Sequence, residues 1–150
     1  MKILITGVDG QLGNQLMQNP APNFELIGLN KNQFNLQNND QCEQTILKLR
    51  PDWIINAAAF TDVEKAEDEI KKAFDINARG VEILAKTCSS YGGRLLQIST
   101  DFVFDGFKKT PYLPNDKCNP LNIYGSSKLK GEYISLKYPG TLILRTSWLY

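Results

Sequence analysis

The first thirteen residues limit what this chain can fold into more than any other stretch. Lys2-Ile3-Leu4-Ile5-Thr6 is a near-continuous apolar run, the pattern of a strand buried in a parallel sheet. It leads straight into Gly7-Val8-Asp9-Gly10-Gln11-Leu12-Gly13, and a helix over 11–18 is expected to follow. Strand, glycine turn and helix in that order form the context of a dinucleotide-binding turn. Glycines let the backbone turn tightly and approach a pyrophosphate. The helix N-terminus then offers unpaired N–H groups and a positive dipole end. The spacing is G-x-x-G-x-x-G, not G-x-G-x-x-G, so a plain glycine-rich turn is the competing reading.

The rest of the chain repeats the alternation. Further strands are expected over 24–29, 53–56, 94–99 and 141–145. Between them come a helix capped by Asp40 and ending near Arg50-Pro51, a helical turn over 62–68, and a long helix over 69–91 stopped by Gly92-Gly93. A last helix is expected over 122–137, after a proline-containing loop over 102–121. Alternating β and α segments predict an α/β fold: a Rossmann-like doubly wound parallel sheet with helices on both faces. Asn77 lies on the apolar side of the long helix, where an amide needs partners; it is expected to tie down the neighbouring strand or a water. The sequence stops at Thr146-Ser147-Trp148-Leu149-Tyr150, directly after a strand. Residues 1–150 therefore read as an NAD(P)-binding domain whose C-terminal substrate-binding part lies beyond them.

Composition removes several alternatives. The net charge of +1 leaves no electrostatic footprint for nucleic acid or an anionic membrane, and no apolar run is long enough to span a bilayer. Cys42, Cys88 and Cys118 are odd in number and far apart, which suits reduced thiols in a cytoplasmic protein. Histidine is absent, which excludes Ser-His-Asp and Cys-His nucleophile systems and the usual histidine-bearing metal sites. Acid–base chemistry here falls to Tyr, Lys, Asp, Glu or Cys.

Two of these stand out. Tyr124 and Lys128 are four positions apart at the start of the last helix, hence on one face and one turn apart. A lysine charge favours phenolate, so Tyr124 becomes a candidate general acid for carbonyl reduction. Ser99-Thr100-Asp101 ends the fourth strand, where a hydroxyl reaches the crevice in which ligands bind. At the end of the second strand Asn30, followed by Lys31, stands where an acidic residue commonly binds the adenosine ribose. A neutral amide beside a lysine does not repel a 2′-phosphate, which leaves NADPH and NADH both open.

Together the glycine turn and the Y-x-x-x-K pair resemble the short-chain dehydrogenase/reductase superfamily. The segments beginning Asn56-Ala57-Ala58-Ala59-Phe60-Thr61-Asp62, Ser99-Thr100-Asp101-Phe102-Val103-Phe104, Pro120-Leu121-Asn122-Ile123-Tyr124-Gly125 and Leu144-Arg145-Thr146-Ser147-Trp148 narrow the match. They are similar to the dTDP-4-dehydrorhamnose reductase family, in order and across the whole chain. That resemblance implies reduction of a dTDP-4-keto sugar by NAD(P)H. It implies that Thr100 hydrogen-bonds the keto oxygen, that Tyr124 protonates it, and that Lys128 lowers the tyrosine pKa and holds the nicotinamide ribose. Asp101 and Trp148 would lie near the sugar. Gly7, Gly10, Gln11, Leu12 and Gly13 would line the pyrophosphate, Ala57, Ala58 and Ala59 the ribose and nicotinamide, and Asn30, Asn35 and Leu36 the adenosine end. Aspartates are more usual where Asn30 and Asn35 stand. Some members dimerise around Mg²⁺ through acidic residues. Gln15 occupies one such position, so no metal is carried over and a homodimer is left open. Dehydratases of similar sequence carry a Thr-Asp-Glu triplet, whereas Phe102 follows Asp101 here. Epimerases and a non-catalytic relative, the methionine adenosyltransferase β subunit, remain as alternatives.

Overall fold

The computed structural model describes residues 1–147. Five strands form one parallel sheet: β1 (Lys2–Thr6), β2 (Glu25–Leu29), β3 (Trp53–Asn56), β4 (Arg94–Thr100) and β5 (Thr141–Thr146). Their order across the sheet is β2-β1-β3-β4-β5. Thr6 pairs with Leu29 on one side and with Asn56 on the other, and Asn56 with Gln97. The chain thus steps one way from β1 to β2 and the other way to β3. Because such crossovers are right-handed, helix α1 (Gln11–Gln18) and helix α2 (Asn39–Leu49) lie on opposite faces. Ligands of such sheets bind at that reversal, outside the carboxyl ends of the strands.

The core forms where β1, β3 and β4 present Leu4, Ile54 and Leu95 to Ile46 of α2 and to Val81 and Leu84 of the long helical region. These side chains are at most 1% exposed. Fully burying each contributes roughly 1.5–3 kcal/mol of transfer free energy before chain entropy is charged against it.

Three local expectations are corrected. Asn38, not Asp40, caps α2: its Oδ1 accepts from Gln41 N at 3.1 Å, with Asp40 inside the first turn where it suits the dipole. The helical turn expected over 62–68 is present as α3 (Val63–Asp68), whereas the helix expected over 69–91 is broken into α4 (Ile70–Phe74), a π-helical turn over Asp75–Gly80, and α5 (Val81–Ser89). Apolar spacing cannot reveal a π turn, because adding one residue to a turn shifts the apolar stripe without ending it. The third concerns Asn77, which sits in that π turn and grips a helix and a loop, as described below. Helix α6 (Ile123–Ser135) then leads into β5. No helix among the described residues is long and apolar enough to cross a membrane.

Candidate active site

Gly7 follows β1 with φ +70°, a conformation glycine adopts without penalty, and a Cβ there would lie 2.8 Å from Ala58 Cα. Backbone from two strands is thereby brought together at the switch point. Two clefts open from it. One, about 520 Å³, is lined by Gly10, Gln11, Leu12, Ala57, Ala58, Ala59, Thr100, Asp101, Tyr124 and Lys128 among others. The second, about 310 Å³, is lined by Gly7, Gly10, Asn35, Leu36 and the same three alanines, with Lys31, Phe34 and Lys72. They meet over Gly10 and residues 57–59. A long two-ended ligand crossing a ridge of glycine and alanine fits that shape, which is what a dinucleotide is. Gly13 lines neither cleft. A Cβ there would collide with the Gly7 carbonyl, so its work is to let α1 pack onto the turn.

Tyr124 and Lys128 stand in the first turns of α6. Asn122 caps this helix, its Oδ1 accepting from Gly125 N at 2.7 Å, and Glu67 accepts from Ile123 N at 2.8 Å. A Cβ on Gly125 would run into the Phe102 carbonyl oxygen. That close approach sets the Phe102 ring edge-on to Tyr124, with centroids 5.6 Å apart. Thr100 Oγ1 accepts from Phe102 N and donates to Asp101 Oδ1, both at 3.2 Å. Lys128 is 5% exposed, and its Nζ donates to the Ile98 carbonyl at 2.7 Å. Burial takes the lysine pKa down to about 8, opposed by the charge of Glu132. Tyr124 departs from the expectation that its pKa is lowered. Burial pushes it up and Asp101 adds to the rise, while the neighbouring Thr100 hydroxyl pulls it down. The ammonium is turned to a backbone carbonyl, and desolvation outweighs what remains.

Asn30 does not line either cleft. Its Oδ1 accepts from Asn32 N and Gln33 N, both at 3.1 Å, so the side chain is consumed in its own turn. Trp148 lies outside the described residues. Lys31 and Thr61 line the clefts without having been singled out as site residues. The sequence signal for Lys31 was its place beside the ribose-binding position.

Two supports stand behind the site, one at Asn77, whose need for partners was legible although the partners were not, and one at Arg145, whose pairing the sequence did not mark. Asn77 Oδ1 accepts from Phe60 N at 2.9 Å, while its Nδ2 donates to Phe60 O at 3.0 Å and to Ser127 Oγ at 2.9 Å. Ser127 in turn donates to the Tyr124 carbonyl at 2.7 Å. The loop after β3 and the tyrosine's helix are thus held by one amide. Arg145 donates to buried Glu132 through Nε at 3.0 Å and Nη2 at 2.6 Å, and its Nη1 donates to Pro114 O at 2.9 Å. The guanidinium lies 5.0 Å from the Phe104 ring centroid, which anchors the loop over 102–121.

The family model described as "RmlD substrate binding domain" matches residues 1–150. A dTDP-4-dehydrorhamnose reductase of Aggregatibacter actinomycetemcomitans is 40% identical over 152 residues, covering 99% of this chain and 52% of that protein. The solved structure of a dTDP-4-dehydrorhamnose reductase from Clostridium acetobutylicum superposes with a TM-score of 0.95 at 40% identity, over 100% of this chain and 54% of that one. Another from Bacillus anthracis, in complex with NADP, gives 0.96 at 38% identity, over 99% of this chain and 54% of its own. The chain spans about half the length of the relatives it matches. With its whole length matched, the chain belongs to the RmlD family, and proteins similar to it include dTDP-4-dehydrorhamnose reductases.

Proposed function

We propose that the protein bearing this chain reduces the 4-keto group of dTDP-4-dehydro-L-rhamnose to give dTDP-L-rhamnose, with NADPH or NADH as the donor. The observation that supports this most is that Gly10 and residues 57–59 line the same cavity as Thr100, Tyr124 and Lys128. The names of the similar proteins, and the NADP bound to one of them, point the same way. The cofactor, when bound, supplies hydride to the carbonyl carbon.

The chain's residues do the rest. The glycine turn receives the pyrophosphate on backbone N–H groups, and Asn35 and Leu36 border the adenine end. Tyr124 passes its phenolic proton to the carbonyl oxygen, so the ketone becomes an alcohol. Thr100 donates to the same oxygen, which gives two preplaced donors for the developing negative charge. Lys128 holds the nicotinamide ribose through its buried ammonium. Asp101 and Trp148 contact the sugar. The remaining half of the protein shapes the sugar pocket. Three free cysteines suit a cytoplasmic location.

The full-length protein should oxidise NADPH in step with added dTDP-4-dehydrorhamnose and release dTDP-rhamnose. No turnover, together with a stoichiometric protein partner on purification, would replace this assignment with a regulatory subunit.

A further inference from the structure

Beneath the cleft, three polar side chains lie in register across the sheet: Thr6 on β1, Asn56 on β3 and Gln97 on β4. None is more than 2% exposed. The Thr6 hydroxyl donates to Asn56 Oδ1, Asn56 Nδ2 donates to Gln97 Oε1, and Gln97 Nε2 donates to the Ile98 carbonyl oxygen, each at 2.6 Å. Lys128 Nζ donates to that same oxygen. At the far end the Ala58 N–H donates to Thr6 Oγ1 at 3.4 Å. Every side-chain donor in this ladder points toward Ile98, an arrangement in which each bond polarises the next.

Burying three amide and hydroxyl groups is costly unless all are paired, and an apolar trio would pack without that cost. What the ladder does that an apolar trio could not is present a fixed carbonyl to the lysine. The carbonyl oxygen of Ile98 has two acceptor positions. Gln97 fills one and leaves the other to Lys128. Glu132, one turn along α6, is engaged by Arg145, so it does not compete to orient the ammonium.

We propose that Gln97 is a positioning residue for Lys128: by occupying one side of the Ile98 carbonyl it confines the ammonium to the other. Its remaining N–H bonds are then aimed toward the cleft. This rests on the role given to Lys128 above. The ladder starts at the backbone that borders the glycine turn, so the lysine and the pyrophosphate cradle share one rigid frame.

The test uses full-length protein with isotope-labelled lysine, read by NMR at the ε-carbon, alongside kcat and KM for NADPH. Gln97→Met removes both contacts at similar length. It should turn a single locked Lys128 signal into an averaged one, lower kcat about tenfold, and move KM by less than about threefold. The triple variant Thr6→Val, Asn56→Leu and Gln97→Met replaces the whole ladder by apolar side chains, so no buried side-chain amide is left unpaired while the donor to Ile98 is lost. It should also displace the Lys128 signal and lower kcat, and it decides the matter if Gln97→Met does not fold. A folded variant of either kind with wild-type lysine signal and kcat would overturn the inference. If wild-type protein turns nothing over, the reductase assignment falls, while the lysine signal still decides whether Gln97 holds Lys128.

Discussion

Lys128 is where burial and chemistry oppose each other most strongly. Its pKa of about 8 lies below the ordinary 10.5 for lysine, so the folded protein keeps the ammonium below about 8 and loses it as pH rises through that value. Tyr124, raised by burial, stays a phenol over the same range and adds no second descending limb there. The free-enzyme profile, kcat/KM, should therefore fall with rising pH near 8, and a flat profile across that pH would contradict the role of Lys128. Lys31 is the second informative residue. It lines the adenosine-side cleft, Asn30 beside it carries no charge, and Lys72 across the cleft is already paired with Glu69. Lys31→Glu should weaken NADPH binding about tenfold and leave NADH within about twofold, measured by fluorescence titration. Equal loss for both would mean that Lys31 does not read a 2′-phosphate. That Thr100, Tyr124 and Lys128 would share one cleft with the glycine turn was legible because their residue types and spacing are the local signals of such a site. Asn30 differs from the expectation because its identity, not its position, decides: its short amide closes a turn on Asn32 and Gln33.

Helix α6 carries the site, and the way it is gripped explains why a π turn faces it. Asn77 holds Ser127 with its side chain, and its carbonyl lies where a Cβ on Gly131 would stand. Ser127 and Gly131 are one turn apart, so the π turn fixes both the height and the rotation of the helix bearing Tyr124 and Lys128. Gly131→Ala must push the two elements apart. It should cost on the order of 2 kcal/mol in denaturant unfolding and lower kcat, since the displaced helix carries Tyr124, the proposed proton donor. Unchanged stability and rate would show that α6 is not seated on Asn77. Sequence periodicity marked the helices themselves, since an apolar stripe is a local signal. The π turn and the Arg145–Glu132 anchor depend on which helices meet, and no local pattern records that. The buried amide at Asn77 was the one hint, and its partners proved to be the loop after β3 and α6, not a strand.

At the scale of the whole molecule, the order β2-β1-β3-β4-β5 places the switch point between β1 and β3. The glycine turn and the three alanines then share one ridge, with Thr100, Tyr124 and Lys128 at one end and Lys31 at the other. The alternation of β and α segments made a parallel sheet legible, and crossover handedness made opposite faces for α1 and α2 follow from the strand order. The strand order itself is a non-local choice that emerges only from packing. In the proposed reaction this shared ridge would bring a hydride donor and a proton donor to one carbonyl, and Tyr124 is the residue at which cofactor binding and chemistry can be told apart. The direct test is Tyr124→Phe in the full-length protein, with NADPH affinity and turnover of dTDP-4-dehydrorhamnose measured side by side. The predicted result is a loss of kcat of at least about a hundredfold with NADPH affinity held within about threefold. Turnover at the wild-type rate would contradict the assignment of Tyr124 as the proton donor.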